Sequence, residues 1–180
     1  MRIIAGRWGG RRLAAVGKGD AGAHLRPTPD RVRESLFSML AHRDVIDGAR
    51  VLDLFAGTGA LAFEALSRGA QSAVLIEKGR VGQRLISENI TLLGATEAQL
   101  KRMDATRLGP LDAAPFTLVF LDPPYGQALG QKALIAAHDQ IAPCAIIVWE
   151  EKEIQVPPAG YAPLDQRQMG GSCITLLTRT

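Results

Sequence analysis

The stretch Val51-Leu52-Asp53-Leu54-Phe55-Ala56-Gly57-Thr58-Gly59-Ala60 constrains the fold more than any other part of the 180-residue chain. An apolar strand ends in a glycine-rich turn, and a helical pattern follows at once. Glycine at 57 and 59 lets the backbone bend tightly and come close to a ligand, and the N–H groups of the first helical turn point back at whatever sits there. From residue 49 onward, short apolar runs alternate with helical patterns, the signature of a mostly parallel sheet covered by helices. Strands are predicted at residues 50–55, 73–77, 98–102, 118–122 and 145–149, and helices at 60–68, 81–93 and 130–140. Gly69 and Gly94 fall at helix C-caps. The unbroken apolar runs at 118–121 and 146–149 suit central strands covered on both faces.

After Pro157-Pro158, two strand-like runs at 161–168 and 173–178 are joined by Met169-Gly170-Gly171-Ser172, which predicts an antiparallel hairpin closing the sheet. Before the sheet, residues 31–41 set Val32, Leu36, Met39 and Leu40 on one helical stripe, with Thr28 as N-cap and Pro29 at the first helical position. The first 25 residues, rich in Gly and Arg, read as a strand-and-loop arm without a core of its own. The expectation is one Rossmann-like α/β domain divided into an arm (1–25), a helix segment (26–48) and a core (49–180).

With 47% apolar and 22% charged residues, the chain can bury a full core and is neither disordered nor repetitive. Its apolar runs are far shorter than the roughly 20 residues of a membrane-spanning helix. No signal-length apolar segment follows Met1-Arg2-Ile3-Ile4-Ala5-Gly6-Arg7, so a cytoplasmic protein is expected. Cys144 and Cys173 form no CxxC pair and are expected to be reduced and buried. His24, His42 and His138 are scattered, so no metal is expected. Residues 1–50 carry ten Arg or Lys against five Asp or Glu, whereas residues 51–150 carry eight against ten. A positive end attracts phosphate backbones by releasing their counterions; a solvated face that only aids solubility is the plainer reading of the same charges.

Glu77 closes the second predicted strand 18 residues after Gly59, the position at which a carboxylate accepts the hydroxyls of a ribose. The turn Gly57-x-Gly59-x-x-Ala62 also satisfies a dinucleotide fingerprint, so an NAD-linked dehydrogenase is a rival. Two further features separate them. Asp53, four residues before Gly57, can face a ligand's ammonium group, which aminoacyl cofactors have and NAD lacks. Asp122-Pro123-Pro124-Tyr125 follows the most apolar strand. Two prolines fix φ and remove two N–H donors, leaving rigid outward carbonyls. An aspartate and a proline carbonyl held this way accept both hydrogens of a planar exocyclic amine, and Tyr125 offers a ring for base stacking, worth about 1–3 kcal/mol.

Together the two motifs resemble class I S-adenosylmethionine-dependent methyltransferases of the amino-methylating group. Arg2-Ile3-Ile4-Ala5-Gly6, Arg26-Pro27-Thr28-x-Asp30-Arg31-Val32-Arg33-Glu34 and Glu64-Ala65-Leu66-Ser67-Arg68-Gly69-Ala70 are similar to the bacterial small-subunit (16S) ribosomal RNA guanine-N2 methyltransferases, across essentially the whole chain. Ala62, Ser38 and Met169-Gly170 depart from that pattern, where glycine, asparagine and Tyr-Gly are common. The resemblance implies S-adenosyl-L-methionine as cofactor, held by Asp53, Phe55, Gly57, Gly59, Glu77, Lys78, Asp104 and Ala105. Asp53 and the glycines would take the methionine end, Glu77 the ribose, and Asp104 the adenine amino group. Asp122, Pro123 and Tyr125 would grip the target guanine. The partner it implies is ribosomal RNA, within small-subunit particles, with the protein acting as a monomer.

Guanine N2 is a weak nucleophile until its protons are held, so such a site works mainly by alignment. A stacked base cannot reach it and must be flipped out or presented by irregular RNA. Arg7, Arg11, Arg12, Lys18 and Arg26 are the candidate phosphate contacts, and Trp8 either stacks on a base or joins the core. Arg26 and Arg31 are placed facing either the cofactor or the RNA, and Arg33 against a carboxylate. The rivals are a methyltransferase for DNA adenine N6 or protein glutamine, and a non-catalytic RNA-binding module on the same scaffold. Asp122, where asparagine is usual for glutamine methylation, argues against the protein substrate.

Overall fold

The computed structural model describes residues 1–17, 28–113 and 115–180. Its strands are β1 (Arg50–Asp53), β2 (Ser72–Ile76), β3 (Ala98–Lys101), β4 (Phe116–Leu121), β5 (Ile141–Glu151), β6 (Tyr161–Met169) and β7 (Ser172–Arg179). The helices are α1 (Asp30–Ala41), α2 (Ala60–Ser67), α3 (Arg80–Leu93) and α4 (Leu129–Ala137). One seven-stranded sheet runs β3-β2-β1-β4-β5-β7-β6. The first five strands in that order are parallel, and β7 and β6 add antiparallel.

Alternating side chains divide the interior into two cores. Val51, Leu118 and Phe120 pack with Phe37, Phe63 and Leu66, while Leu52, Val119 and Leu121 pack with Leu134, Trp149 and Leu177. Every residue of β4 except Thr117 is buried, which is why its sequence shows no alternation.

Several boundaries differ from the expectation for identifiable reasons. The strand β5 starts at Ile141, four residues early, because a 3₁₀ turn at His138–Gln140 replaces the end of the predicted helix and Phe116 pairs with Ile141. The register then slips between Phe116 and Leu118; Cys144 takes φ +60° there and is exposed, not buried. In α1, Pro29 has ψ 145° and lies outside the helix, so Thr28 is not its cap and Asp30 opens the first turn. The buried stripe of α1 includes Arg33 and Phe37 and leaves Met39 at its edge. Arg33 donates to the Asp30 carboxylate at 2.7 Å and to the Arg2 carbonyl at 2.6 Å, the carboxylate reading of that residue.

The arm has no separate core and shares the domain's. Ile3, Trp8 and Leu13 are buried with α2 and α3, so Trp8 is a core residue. The fully buried Glu64 carboxylate accepts from the amides of Ile4 (2.8 Å) and Ala5 (3.1 Å) and from Arg68 Nε (2.7 Å). Gly6 has φ +81°, and a Cβ there would lie 1.8 Å from the Ser67 carbonyl oxygen. Only glycine lets the arm lie this close.

Candidate active site

The C-terminal ends of the parallel strands surround a cavity of 580 Å³, within the range of small-molecule sites. The glycine bend after β1 forms one wall, with Asp53, Phe55 and Gly57 from the bend and Glu77, Lys78 and Ala105 from the ends of β2 and β3. Across the same cavity stand Asp122, Pro123 and Tyr125, and the β6–β7 turn closes that side with Met169, Gly170, Gly171 and Ser172. Nine of the eleven residues expected to bind cofactor or target base therefore line one space.

The other two sit just behind the wall. Gly59, at φ +79°, seats α2 against the sheet: a Cβ would meet Phe63 at 2.5 Å and Leu75 at 2.8 Å. Asp104 caps the 3₁₀ turn Ala105–Arg107, accepting from the Thr106 amide at 2.9 Å and its hydroxyl at 2.8 Å, with Lys78 Nζ at 3.3 Å. Those Thr106 hydrogen bonds, then Lys78, hold its carboxyl below the usual carboxylate range. Asp104 thereby fixes the turn that presents Ala105 to the cavity.

Glu77 organises the bend. Its Oε2 accepts from the Gly57 amide at 2.8 Å and its Oε1 from the Gly79 amide at 2.5 Å, so one carboxylate ties two loops together. Asp53 is 2% exposed. Burial, and then the neighbouring Glu77 charge, push its carboxyl up to about 7, against the lowering pull of the Ala62 and Phe55 amides. On the opposite wall, Tyr125 donates from its hydroxyl to Glu150 Oε1 at 3.1 Å, and Ser172 Oγ donates to the same oxygen at 2.7 Å. Burial first, then Glu150 and Asp122, hold the Tyr125 proton more firmly than in an ordinary phenol. The ring is thus pinned to both β5 and β7.

Four contributors were not singled out in the sequence. Gly82 brings α3 against the bend, since a Cβ there would lie 2.7 Å from the Gly57 carbonyl oxygen and 2.8 Å from Glu77 Cγ; a glycine inside a helical pattern is the signal that marks such a close approach. Asn89 is fully buried and links the Thr58 carbonyl (3.1 Å) to the Ala14 amide (2.7 Å), coupling bend to arm. Glu150 and Ser172 carry no local signal.

The basic candidates divide. Arg7 pairs with Glu97 and lies 4.0 Å above the Trp8 ring, and Arg11 donates to the Leu92 carbonyl. Both bind the arm to the end of the domain away from the glycine bend. Arg12 is exposed. Lys18 and Arg26 lie outside the described residues.

The chain is similar to known proteins over nearly its whole length. The curated Ribosomal RNA small subunit methyltransferase D of Escherichia coli (strain K12) is 39% identical over 167 residues, covering 90% of this chain and 81% of the relative. Its namesake in Haemophilus influenzae is 33% identical over 178 residues, covering 94% and 89%. Among solved structures, the Escherichia coli protein yhhF matches with a TM-score of 0.84 at 34% identity, covering 99% of this chain and 97% of that one. A family model described as conserved hypothetical protein 95 matches residues 1–178, and the chain belongs to that family.

Proposed function

We propose that this protein transfers a methyl group from S-adenosylmethionine to the exocyclic N2 of a guanine in small-subunit ribosomal RNA. The observation that carries the reading is the placement of the glycine bend, with its buried Asp53, across one cavity from Asp122-Pro123-Pro124-Tyr125. The relatives named as rRNA small subunit methyltransferases support the substrate class.

The walls fit the cofactor by their chemistry. Asp53 can meet an ammonium group. Glu77 keeps lone pairs for ribose hydroxyls after taking two backbone amides. Phe55, Ile76, Met103 and Ala105 supply apolar surface for a purine. When bound, S-adenosylmethionine supplies a methyl carbon on a positively charged sulfur, which leaves as a neutral thioether.

The protein's part is alignment. Asp122 and the Pro123 carbonyl accept the two N2 protons, localising the nitrogen lone pair that would otherwise spread into the ring. Tyr125, held by Glu150, stacks on the base. Held this way, the amine would face the methyl donor in an attack-ready orientation, a proximity effect worth several kcal/mol. As nitrogen takes the methyl it sheds one proton, to Asp122 or to water.

The base must leave its stack to enter this cavity. The arm, carrying Arg12 at its surface, would contact RNA backbone. We place the reaction in the cytoplasm on assembling small subunits, with the protein acting as a monomer. No helix among the described residues is long and apolar enough to cross a membrane. The test is incubation with methyl-labelled S-adenosylmethionine and, separately, bare small-subunit rRNA, assembling small subunits and DNA. Label is expected in RNA; label in DNA alone refutes the reading.

A further inference from the structure

The strand β5 ends in two carboxylates with different surroundings. Glu151 is buried, and burial raises its carboxyl against the lowering pull of the Lys152 and Gly126 amides. Glu150 lines the cavity. Its Oε1 is fixed by two donors from separate elements, Tyr125 on the loop after β4 and Ser172 at the start of β7. A carboxylate held at one oxygen by both loops cannot swing away. Its Oε2 has no hydrogen-bond partner among the described residues, and a carboxylate oxygen can accept. Asp122 lines the same cavity, and the charges of both acids act on the Tyr125 hydroxyl.

Two acceptors in one cavity can match a base edge with two neighbouring donors. Among the four RNA bases only guanine has one, in N1–H beside the 2-amino group. Adenine and cytosine pair their amine with a bare ring nitrogen, whose lone pair a carboxylate repels, and uracil has no amine. We propose that Glu150 selects the target base, its Oε2 accepting the guanine N1–H while Asp122 holds N2. This rests on the methyl-transfer reading above. Glu150 thereby performs two tasks: Oε1 positions Tyr125, and Oε2 reads the base.

The test uses the full chain, S-adenosylmethionine and small-subunit rRNA. The methylated guanine is mapped first, then replaced by 2-aminopurine, which keeps the 2-amino group but lacks the 6-oxygen and has a lone pair at N1, so that the change of ratio in the Glu150 variant isolates the N1 contact. Wild type is expected to favour guanine over 2-aminopurine by about thirtyfold or more in kcat/KM, because a site built around a hydrogen bond rejects the analogue lacking it. Glu150→Gln keeps an oxygen for Tyr125 and Ser172 and turns an amide N–H₂ towards the base. It should slow the guanine reaction by about tenfold or more and narrow the guanine to 2-aminopurine ratio by a similar factor. Tyr125→Phe should slow both reactions and keep the ratio.

An unchanged ratio in Glu150→Gln would mean that Glu150 acts only through Tyr125 and would overturn the proposal. So would a wild-type ratio near one, a result that stands even if Glu150→Gln fails to fold. Failure of wild type to methylate any guanine would instead refute the methyl-transfer reading, and this inference would fall with it.

Discussion

Asp53 sets a pH dependence on cofactor binding that can be worked from the structure. It is 2% exposed, and burial, followed by Glu77, moves its carboxyl from the ordinary 3.8 to about 7. Without cofactor the ionised form is therefore about 4 kcal/mol less favourable than in water. Only that ionised form can hold the cofactor's ammonium group. Affinity for S-adenosylmethionine should fall about tenfold for each pH unit below about 7 and level off above it. Titration calorimetry in two buffers of different ionisation enthalpy reads the coupled proton directly. About 0.9 proton should be released on binding at pH about 6, and about 0.8 at pH about 6.5, both below the range in which an α-amino group itself titrates. Without cofactor the sign is opposite. A raised carboxyl stabilises the fold fully below its unfolded value, and that contribution is lost as pH rises through about 7. Asp53→Asn should therefore leave the cofactor-free protein as stable as wild type, or more stable, at pH about 8, while abolishing tight cofactor binding. Flat affinity across this range with no proton release would show that Asp53 does not face the ammonium.

Asp122→Ala should lower methyl transfer by at least about a hundredfold while calorimetry still finds cofactor binding within about threefold of wild type; loss of both contradicts the division of roles. Glu64→Ala leaves Arg68 and two arm amides without their acceptor and should destabilise the protein by about 3–5 kcal/mol in urea unfolding, with faster hydrogen exchange at Ile4 and Ala5; retained protection there refutes the anchor. Gly6→Ala should cost about 3 kcal/mol, because its Cβ would meet the Ser67 carbonyl at a positive φ, and a neutral melting shift would contradict that contact. Removing charge at Arg7, Arg11 and Arg12 together should flatten the salt dependence of RNA affinity, and an unchanged slope removes the arm from the interface.

What could be read before the structure was local. The strand, bend and helix at residues 51–60 occupy ten consecutive residues, and each step has its own residue chemistry. The Asp122 corner is legible for the same reason, because its prolines dictate their own geometry. What escaped depends on partners distant in sequence. Ile3, Trp8 and Leu13 become core only because Glu64 and Ser67, about sixty residues on, take the arm's amides. Arg33 escapes an apolar stripe because its type is polar, although its guanidinium finds Asp30 and the Arg2 carbonyl inside. Gly59 has the spacing of a ligand-facing glycine and the surroundings of a packing one, a difference set by Phe63 and Leu75. Glu150 is an acid at a strand end until β7 brings Ser172 beside it.

The chemistry of the modified nucleoside tests the whole account most directly. Small-subunit rRNA methylated by the purified protein, digested to nucleosides and resolved by mass spectrometry against standards, should contain N2-methylguanosine, and RNA treated with Asp122→Ala should contain none. Finding 1-methylguanosine or 7-methylguanosine in its place would contradict the account, because neither nitrogen is an exocyclic amine, and N6-methyladenosine would contradict guanine as the target base.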